Sequence, residues 1–396
     1  MGNTRDRTGY SCMMKALVDS YRAAWSVVPG TTDPLFPIGV VTIADGSEEG
    51  WGYSFAQLHW AQTGSFGTLP NAAMPNTFLG DAWDAGDVSF EALFARAQLF
   101  ADAQRPAANF LLPRESPART RLGARQPWSM NDCMDQHCCV EKTVPLGANC
   151  EGDFRGNWTN STLSAGRVHP RPKDVMARRL AQAAFASVYA PASGPLLSQG
   201  PVLAGCSVSA DGASLTLRFD AAALKAERMT VSKPALARAL NLSAENTALY
   251  VLAGAQLDLA AISANHHNAT QQGYKGPYAS GNEYNVEGWR AVMPAEGAAP
   301  NEILVDLSPL GGAVPTAVRY GAGAGSYGAG PGVSNAAICC GPLQDVGRSP
   351  CPPGSCPIKS SATTGGQLAT ELPAAPFVAA IVGGRCVCAL PQVCSS

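Results

Sequence analysis

The sequence predicts an α/β fold followed by a β-rich domain, and three patterns carry that prediction. Apolar residues recur at helical spacing over residues 12–25, a continuous apolar run rich in valine and isoleucine covers residues 36–43, and a second helical pattern covers residues 173–189. Such a short apolar run is typical of a strand buried on both faces in a parallel sheet. The order helix, buried strand, helix therefore predicts an α/β arrangement.

A change of pattern after Pro191 predicts the second domain. Residues 206–219 alternate apolar and polar around an Asp211-Gly212 turn, which predicts a hairpin. Further strands are predicted at residues 249–252, 303–307 and 317–320. A length of 396 residues also favours two domains. We therefore predict an α/β domain over residues 1–195 and a β-sandwich-like domain over residues 196–396.

The composition excludes two classes of partner. Hydrophobic residues make up 46% of the chain and charged residues 15%, so the chain can bury a sizeable core. The formal net charge of −2 provides no general attraction to nucleic acid or to an anionic membrane surface. No run of eighteen apolar residues occurs, so no membrane-spanning helix is predicted.

Cysteines and glycosylation sequons predict a secreted or lysosomal protein. Eleven of the thirteen cysteines cluster in loop-like sequence, which indicates disulfides formed in an oxidising compartment, and Cys12 and Cys206 stand apart. Four Asn-x-Ser/Thr sequons agree with this, at Asn157, Asn160, Asn241 and Asn268. The first twelve residues lack the apolar stretch of a signal peptide, and we therefore expect the chain to be part of a longer polypeptide.

His169 is the histidine with the best context for catalysis. It follows small residues in a loop and directly precedes the helix predicted from residue 173, so its ring can project from a sheet edge into a crevice. An imidazole there can act as general base toward a serine hydroxyl. His137 lies among Cys133, Cys138 and Cys139, where adjacent cysteines favour disulfides over a zinc site. We predict no metal site and no cofactor.

No serine in the chain has the setting of a hydrolase nucleophile. Neither a G-x-S-x-G elbow nor a GDS or GQS serine loop is present. The Asp45-Gly46-Ser47 sequence after the first apolar run has the wrong order and is followed by two glutamates, so it predicts a polar turn. The chemistry of a serine hydrolase is therefore incomplete in these residues.

Several ordered motifs nonetheless resemble one family of carbohydrate esterases. They are TTDPLFPIGV from residue 31, HWAQTGSFG from residue 59, MPNTF from residue 74, AWDAGD from residue 82, VHPRPK from residue 168 and LPAAPFVAAI from residue 372. In this order they resemble the sialate O-acetylesterases. The resemblance implies part of an SGNH-hydrolase domain, with a flavodoxin-like parallel sheet, followed by an accessory β domain. It also implies that the partner is O-acetylated sialic acid or another acetylated glycan.

The resemblance assigns roles to particular residues. His169 would relay the proton of a serine that lies, with its oxyanion block, upstream of this chain. Gly166 stands where many SGNH hydrolases carry the orienting aspartate, so Asp84 or Asp87 would replace it. His59, Trp60 and Gln62 would contact the substrate.

Two further expectations complete the sequence interpretation. Residues 88–163 form a Cys-rich insertion into the esterase domain. The alternative function is a non-catalytic secreted glycoprotein or carbohydrate-binding module derived from the same family, with Trp60 and Trp83 stacking on sugars.

Overall fold

The structure, a computed structural model, describes residues 10–43, 55–84, 173–189, 194–231, 249–259, 288–321, 357–362, 366 and 369–391. The insertion predicted at residues 88–163 lies outside these ranges.

Two short parallel strands and three helices make up the described part of the predicted first domain. The elements are α1 (Tyr10–Trp25), β1 (Ile38–Val41), α2 (Phe55–Gln62), β2 (Thr77–Gly80) and α3 (Lys173–Ala184), which continues as a π-helical turn over Phe185–Tyr189. Both predicted helices, at residues 12–25 and 173–189, are confirmed. The chain is therefore of mixed α/β type.

The buried face of α1 ends in an arginine. Tyr10, Met14 and Val18 form a buried apolar stripe, and Arg22 continues it, whereas Trp25 is 62% exposed. The Arg22 guanidinium donates hydrogen bonds to the main-chain carbonyls of Phe36, Pro75 and Asn76. These carbonyls lie just before β1 and β2, so one buried cation fixes the start of both strands to the helix.

The strand predicted within residues 36–43 is parallel, as expected, but it is not buried on both faces. β1 pairs with β2 in parallel, with Ile38 opposite Thr77 and Val41 opposite Gly80. Val40 is buried in the cluster formed with α1, whereas Val41 is 38% exposed. On the second face α3 passes close to glycines: a Cβ on Gly80 would lie 3.1 Å from the Leu180 side chain.

The topology of the small sheet corrects the fold prediction. The described residues contain a two-stranded parallel sheet, and a complete flavodoxin-like sheet is not among them.

A nine-stranded antiparallel sheet dominates the described part of the second domain. Its strands are β3 (Leu203–Val208), β4 (Ser214–Phe219), β6 (Leu249–Ala253), β7 (Trp289–Ala291), β8 (Pro294–Glu296), β9 (Glu302–Asp306), β10 (Pro315–Tyr320), β12 (Phe377–Val382) and β13 (Arg385–Leu390). The order is β7-β6-β10-β12-β13-β3-β4-β9-β8, and β5 (Met229–Val231) pairs separately with β11 (Ile358–Ser360). The predicted hairpin and the three further strands are confirmed.

The nine strands form one curled sheet, where the sequence had predicted a sandwich-like domain. Strands β4 and β12 are separated by two others in the ladder, which would place them about 14 Å apart if the sheet were flat. Yet the rings of Phe219 on β4 and Phe377 on β12 lie 6.4 Å apart, centroid to centroid. The sheet therefore curls around its own core, and side chains from one face of the sheet pack against each other across that core.

Of the strand pairs in the large sheet, β13 and β3 have the fewest residues in register. Only Arg385 and Ser207 are in register across these two strands, beside a hydrogen bond from Val208 N to Gly384 O of 2.7 Å. The disulfide Cys206–Cys386 joins the same two strands, across 180 residues of sequence. It holds the two parts of the sheet together where the hydrogen-bond ladder is shortest.

Contacts cross the predicted domain boundary near residue 195. Trp83, which follows β2, is 2% exposed and belongs to the core of the large sheet, with its ring edge-on to Tyr320 at 5.9 Å. Leu69 N donates to Gln199 Oε1 at 3.1 Å. The small and the large sheet therefore share a packed junction.

Candidate functional site

The candidate site lies at the carboxyl ends of β1 and β2. Because the two strands are parallel, the residues that follow them come out at the same edge of the sheet. Ligands of open parallel sheets bind outside this edge. Polar side chains from α2, from the segment after β2 and from α3 gather there.

Helix α2 clamps the end of β1 with two polar side chains. His59 Nε2 lies 2.6 Å from Ile43 O, and Gln62 Oε1 accepts a hydrogen bond from Ile43 N at 2.8 Å. A carbonyl oxygen only accepts, so the His59 proton is on Nε2. Both side chains are buried, and together they hold the main chain where it leaves the sheet.

Trp60 lies beside them and points toward the large sheet. It is 1% exposed, and its indole Nε1 donates to Pro376 O at 3.2 Å. The structure thus brings the three predicted substrate residues together on α2, where each makes main-chain hydrogen bonds. Their contact with a substrate stays a prediction.

Asp84 forms a buried two-point ion pair with Arg179 of α3. Arg179 Nη1 donates to Asp84 Oδ1 and Nη2 donates to Asp84 Oδ2 at 3.1 Å, and both side chains are at most 4% exposed. Burial works to lower the pKa of Arg179, but the carboxylates of Asp84, Asp81 and Glu371 together outweigh it, so the pKa is raised above its ordinary value. The pair fixes α3 to the segment after β2.

Asp81 is a buried carboxyl group that sequence reasoning missed. It follows β2 directly, and its Oδ2 accepts a hydrogen bond from Gly200 N at 2.9 Å. Burial raises the pKa of Asp81 to about 6, against the lowering effects of the Gly200 hydrogen bond and of Arg179. No strand was predicted before Asp81, and the signal that could have found it is its position just after the apolar residues Phe78 and Leu79, because ligands of open parallel sheets bind beyond the carboxyl ends of the strands.

The remaining predicted site residues lie outside the described ranges. These are His169, Asp87 and the sequon asparagines Asn157, Asn160, Asn241 and Asn268. His169 comes four residues before Lys173, the first residue of α3.

The described ranges contain neither a metal-binding cluster nor a membrane-spanning helix. No group of three or more histidine, cysteine or acidic side chains in these ranges is arranged to hold a metal ion. No helix among the described residues is both long and apolar enough to cross a membrane.

Comparison with known proteins gives similarity over a limited stretch. No family model matches the chain. A sialate O-acetylesterase of Rattus norvegicus is 37% identical over 87 residues, which is 21% of this chain and 16% of the rat protein. The sialate O-acetylesterase of Homo sapiens is 38% identical over 80 residues, 20% of this chain and 15% of the human protein. That of Mus musculus is 36% identical over 84 residues, 21% of this chain and 16% of the mouse protein.

The match thus spans about a sixth of the length of these curated relatives. The chain is similar to sialate O-acetylesterases over about a fifth of its own length.

Proposed function

We propose that this chain is part of a carbohydrate esterase that removes O-acetyl groups from sialic acid or another acetylated glycan. The observation that carries the proposal is the 36–38% identity to sialate O-acetylesterases over 80 to 87 residues. The mixed α/β architecture supports it. In this proposal β1 and β2 are two strands of an SGNH-type parallel sheet, and the large antiparallel sheet belongs to the accessory domain.

The polar edge of the small sheet supports an ester site at the carboxyl ends of β1 and β2. Asp81, Asp84 and Arg179 lie beyond β2, and His59 and Gln62 lie beyond β1. These side chains are buried, and electrostatic contacts are stronger where side chains are shielded from water. We place the acetylated sugar outside this edge.

His169 is the proposed general base. It would take the proton of a serine hydroxyl as the oxygen attacks the acetyl carbonyl carbon, and would return the proton to the sugar oxygen that leaves. Asp84 or Asp87 would orient its imidazole. Asp84 accepts two hydrogen bonds from Arg179, and a carboxylate has about four acceptor sites, so it keeps capacity for a ring N–H.

The serine is proposed to lie outside these 396 residues. The chain contains no nucleophile elbow and no GDS or GQS loop. His169, with its preceding loop and following helix, would then complete a site whose hydroxyl is encoded elsewhere. Residues 1–195 would belong to the catalytic domain, with the insertion at residues 88–163, and residues 196–396 to the accessory domain.

We also propose that the complete protein is secreted or lysosomal. Thirteen cysteines, four sequons and the Cys206–Cys386 disulfide support an oxidising compartment.

The first prediction concerns turnover. The 396-residue chain should hydrolyse p-nitrophenyl acetate and 9-O-acetyl sialic acid only at the background rate, because it lacks the nucleophile. A longer open reading frame recovered from transcripts, with a GQS-type loop, should deacetylate the sialic acid substrate. In that protein His169→Ala should lower kcat/KM by roughly 10³- to 10⁶-fold, as triad deletions do.

His266→Ala is the matched control for this experiment, because His266 lies outside the motifs that resemble the esterases, and the change should alter kcat/KM by less than about twofold. Turnover by the 396-residue chain that a serine-alkylating reagent abolishes would show that the nucleophile lies within it. A longer protein that binds acetylated glycans without turning them over would establish the non-catalytic alternative.

A further inference from the structure

A buried polar junction connects β2, α3 and the segment that leads into the large sheet. Asp81 Oδ2 accepts from Gly200 N, Gln182 Nε2 donates to Leu197 O at 3.1 Å, and Gln182 Oε1 accepts from Thr370 N at 2.6 Å. The contact at Gly200 is close, because a Cβ there would lie 2.0 Å from Pro373 O. Because residue 200 is a glycine, its main-chain amide reaches Asp81 with no side chain between them. This hydrogen bond links β2 to the segment that leads into the large sheet.

The junction holds more negative than positive charge. Arg179 directs both of its terminal nitrogens at the Asp84 carboxylate and reaches Asp81 only through the main-chain oxygen, at 3.0 Å from Nη1. Glu371 also acts on Arg179 electrostatically, but its side chain is 49% exposed and bonds to Lys359. The Asp81 carboxylate is therefore the charge in excess.

Among the described residues, Tyr320 also senses the junction electrostatically. Burial raises its pKa, and the Asp84 charge raises it further, so Tyr320 stays neutral at physiological pH. None of the groups facing Asp81 supplies it with a cation of its own among the residues described.

We propose that Asp81 is a proton-binding residue that strengthens the junction between the two sheets when the pH falls below neutral. Protonation removes the excess charge and leaves an acceptor for Gly200 N. The carboxyl group also gains a hydrogen to donate. This inference stands on the junction geometry and does not depend on the proposed esterase activity.

The direction of the pH effect follows from the folded and unfolded states. Burial raises the pKa of Asp81 to about 6, above the ordinary value of 3.8. Between these two values the folded protein binds more protons than the unfolded chain, so the free energy of unfolding rises as the pH falls. The stabilisation is absent above about pH 7, grows through pH 6 and is complete below pH 3.8. The exposed Asp211 and Asp306 have lowered pKa values and act below this window.

The second prediction tests this pH linkage by comparing the wild-type chain with Asp81→Asn. The Asn side chain keeps the shape and an acceptor oxygen for Gly200 N but cannot titrate. From pH 7.5 to pH 5 the unfolding equilibrium constant of the wild type should fall about tenfold relative to that of the variant. In thermal unfolding this corresponds to a relative rise of about 2 °C in the midpoint. Asp19→Asn is the control, because Asp19 is exposed and pairs with Lys15 on α1, and it should follow the wild type.

If Asp81→Asn does not fold, the titration of Asp81 can be measured directly in the wild-type chain. Carboxyl ¹³C NMR of the wild-type chain with labelled aspartate should show one buried group that titrates near pH 6. Parallel pH profiles for wild type and Asp81→Asn would overturn the proposal. So would a spectrum in which every aspartate titrates near 4 or below.

Discussion

The small sheet and the large sheet are each stabilised by a different kind of contact. In the described residues the core of the large sheet contains 24 buried apolar residues, whereas the cluster around the small sheet contains eight. Buried polar side chains show the opposite distribution. Among those described, Thr42, His59, Asp81, Asp84 and Arg179 belong to the small-sheet region, with seven others, against four in the large sheet region.

The two regions therefore differ in how strictly their buried side chains need particular partners. Apolar burial stabilises a fold without requiring a particular partner for each side chain, because its free energy depends mainly on the apolar area removed from water. Buried polar groups need matched partners, and each one left unmatched costs free energy. The small-sheet region therefore depends on the placement of matched polar partners, whereas the large sheet depends mainly on apolar burial.

The largest effect on stability is expected at the disulfide of the large sheet. Replacing both Cys206 and Cys386 with alanine should lower the free energy of unfolding by up to about 5 kcal/mol, because the bond closes a loop of 180 residues. The change should show as a lower urea midpoint. Cys12→Ala, on the exposed side of α1, is the control and should change stability by less than about 0.5 kcal/mol. An unchanged midpoint for the double variant would show that the β3–β13 pairing holds without the bond.

The next effect is expected at the polar junction of the small sheet. Arg179→Met should cost about 3–5 kcal/mol, because it leaves the Asp84 carboxylate buried without its cation. Adding Asp84→Leu should recover much of that loss. Arg178→Met is the matched control, since Arg178 is the neighbouring residue and is exposed. A loss below about 1 kcal/mol for Arg179→Met, measured by urea unfolding, would mean that the region does not depend on its ion pair.

The smallest effect is expected at the surface of the large sheet. Arg218 Nε donates to Glu302 Oε1 at 3.0 Å across β4 and β9, with 48% of the Arg218 side chain exposed. Arg218→Ala should cost about 0.2–1 kcal/mol, and less at high salt, because solvent screens the pair. A loss above 2 kcal/mol that does not respond to salt would indicate that polar contacts support both regions alike.

Local patterns in the sequence predicted those parts of the fold that local chemistry decides. The hairpin at residues 206–219 followed from its turn, where Gly212 has φ +71° and the Asp211 carboxylate accepts from Ala213 N. The period of α1 was equally readable. Its buried face was not, because Arg22 is buried by carbonyls that lie up to 54 residues away in sequence.

Contacts between residues that are far apart in the sequence could not be predicted. Strand β13 lies between β12 and β3, and no pattern within the strand specifies that neighbour. The same holds at the candidate site. Asp81 and Arg179 could each be noted in the sequence, but their association depends on the approach of α3 to β2 and of Gly200 to Asp81.

The position of Trp83 has a consequence for dividing the molecule. Its indole comes from the chain before residue 195 but fills space against Tyr320 and Gly321 in the large sheet. A polypeptide that starts at residue 196 would therefore fold around a hole the size of an indole ring, and a polypeptide that ends at residue 195 would present that ring to water. The part of the chain before residue 195 thus supplies a piece of the large sheet's interior, so the two parts cannot be separated without a replacement for this one side chain.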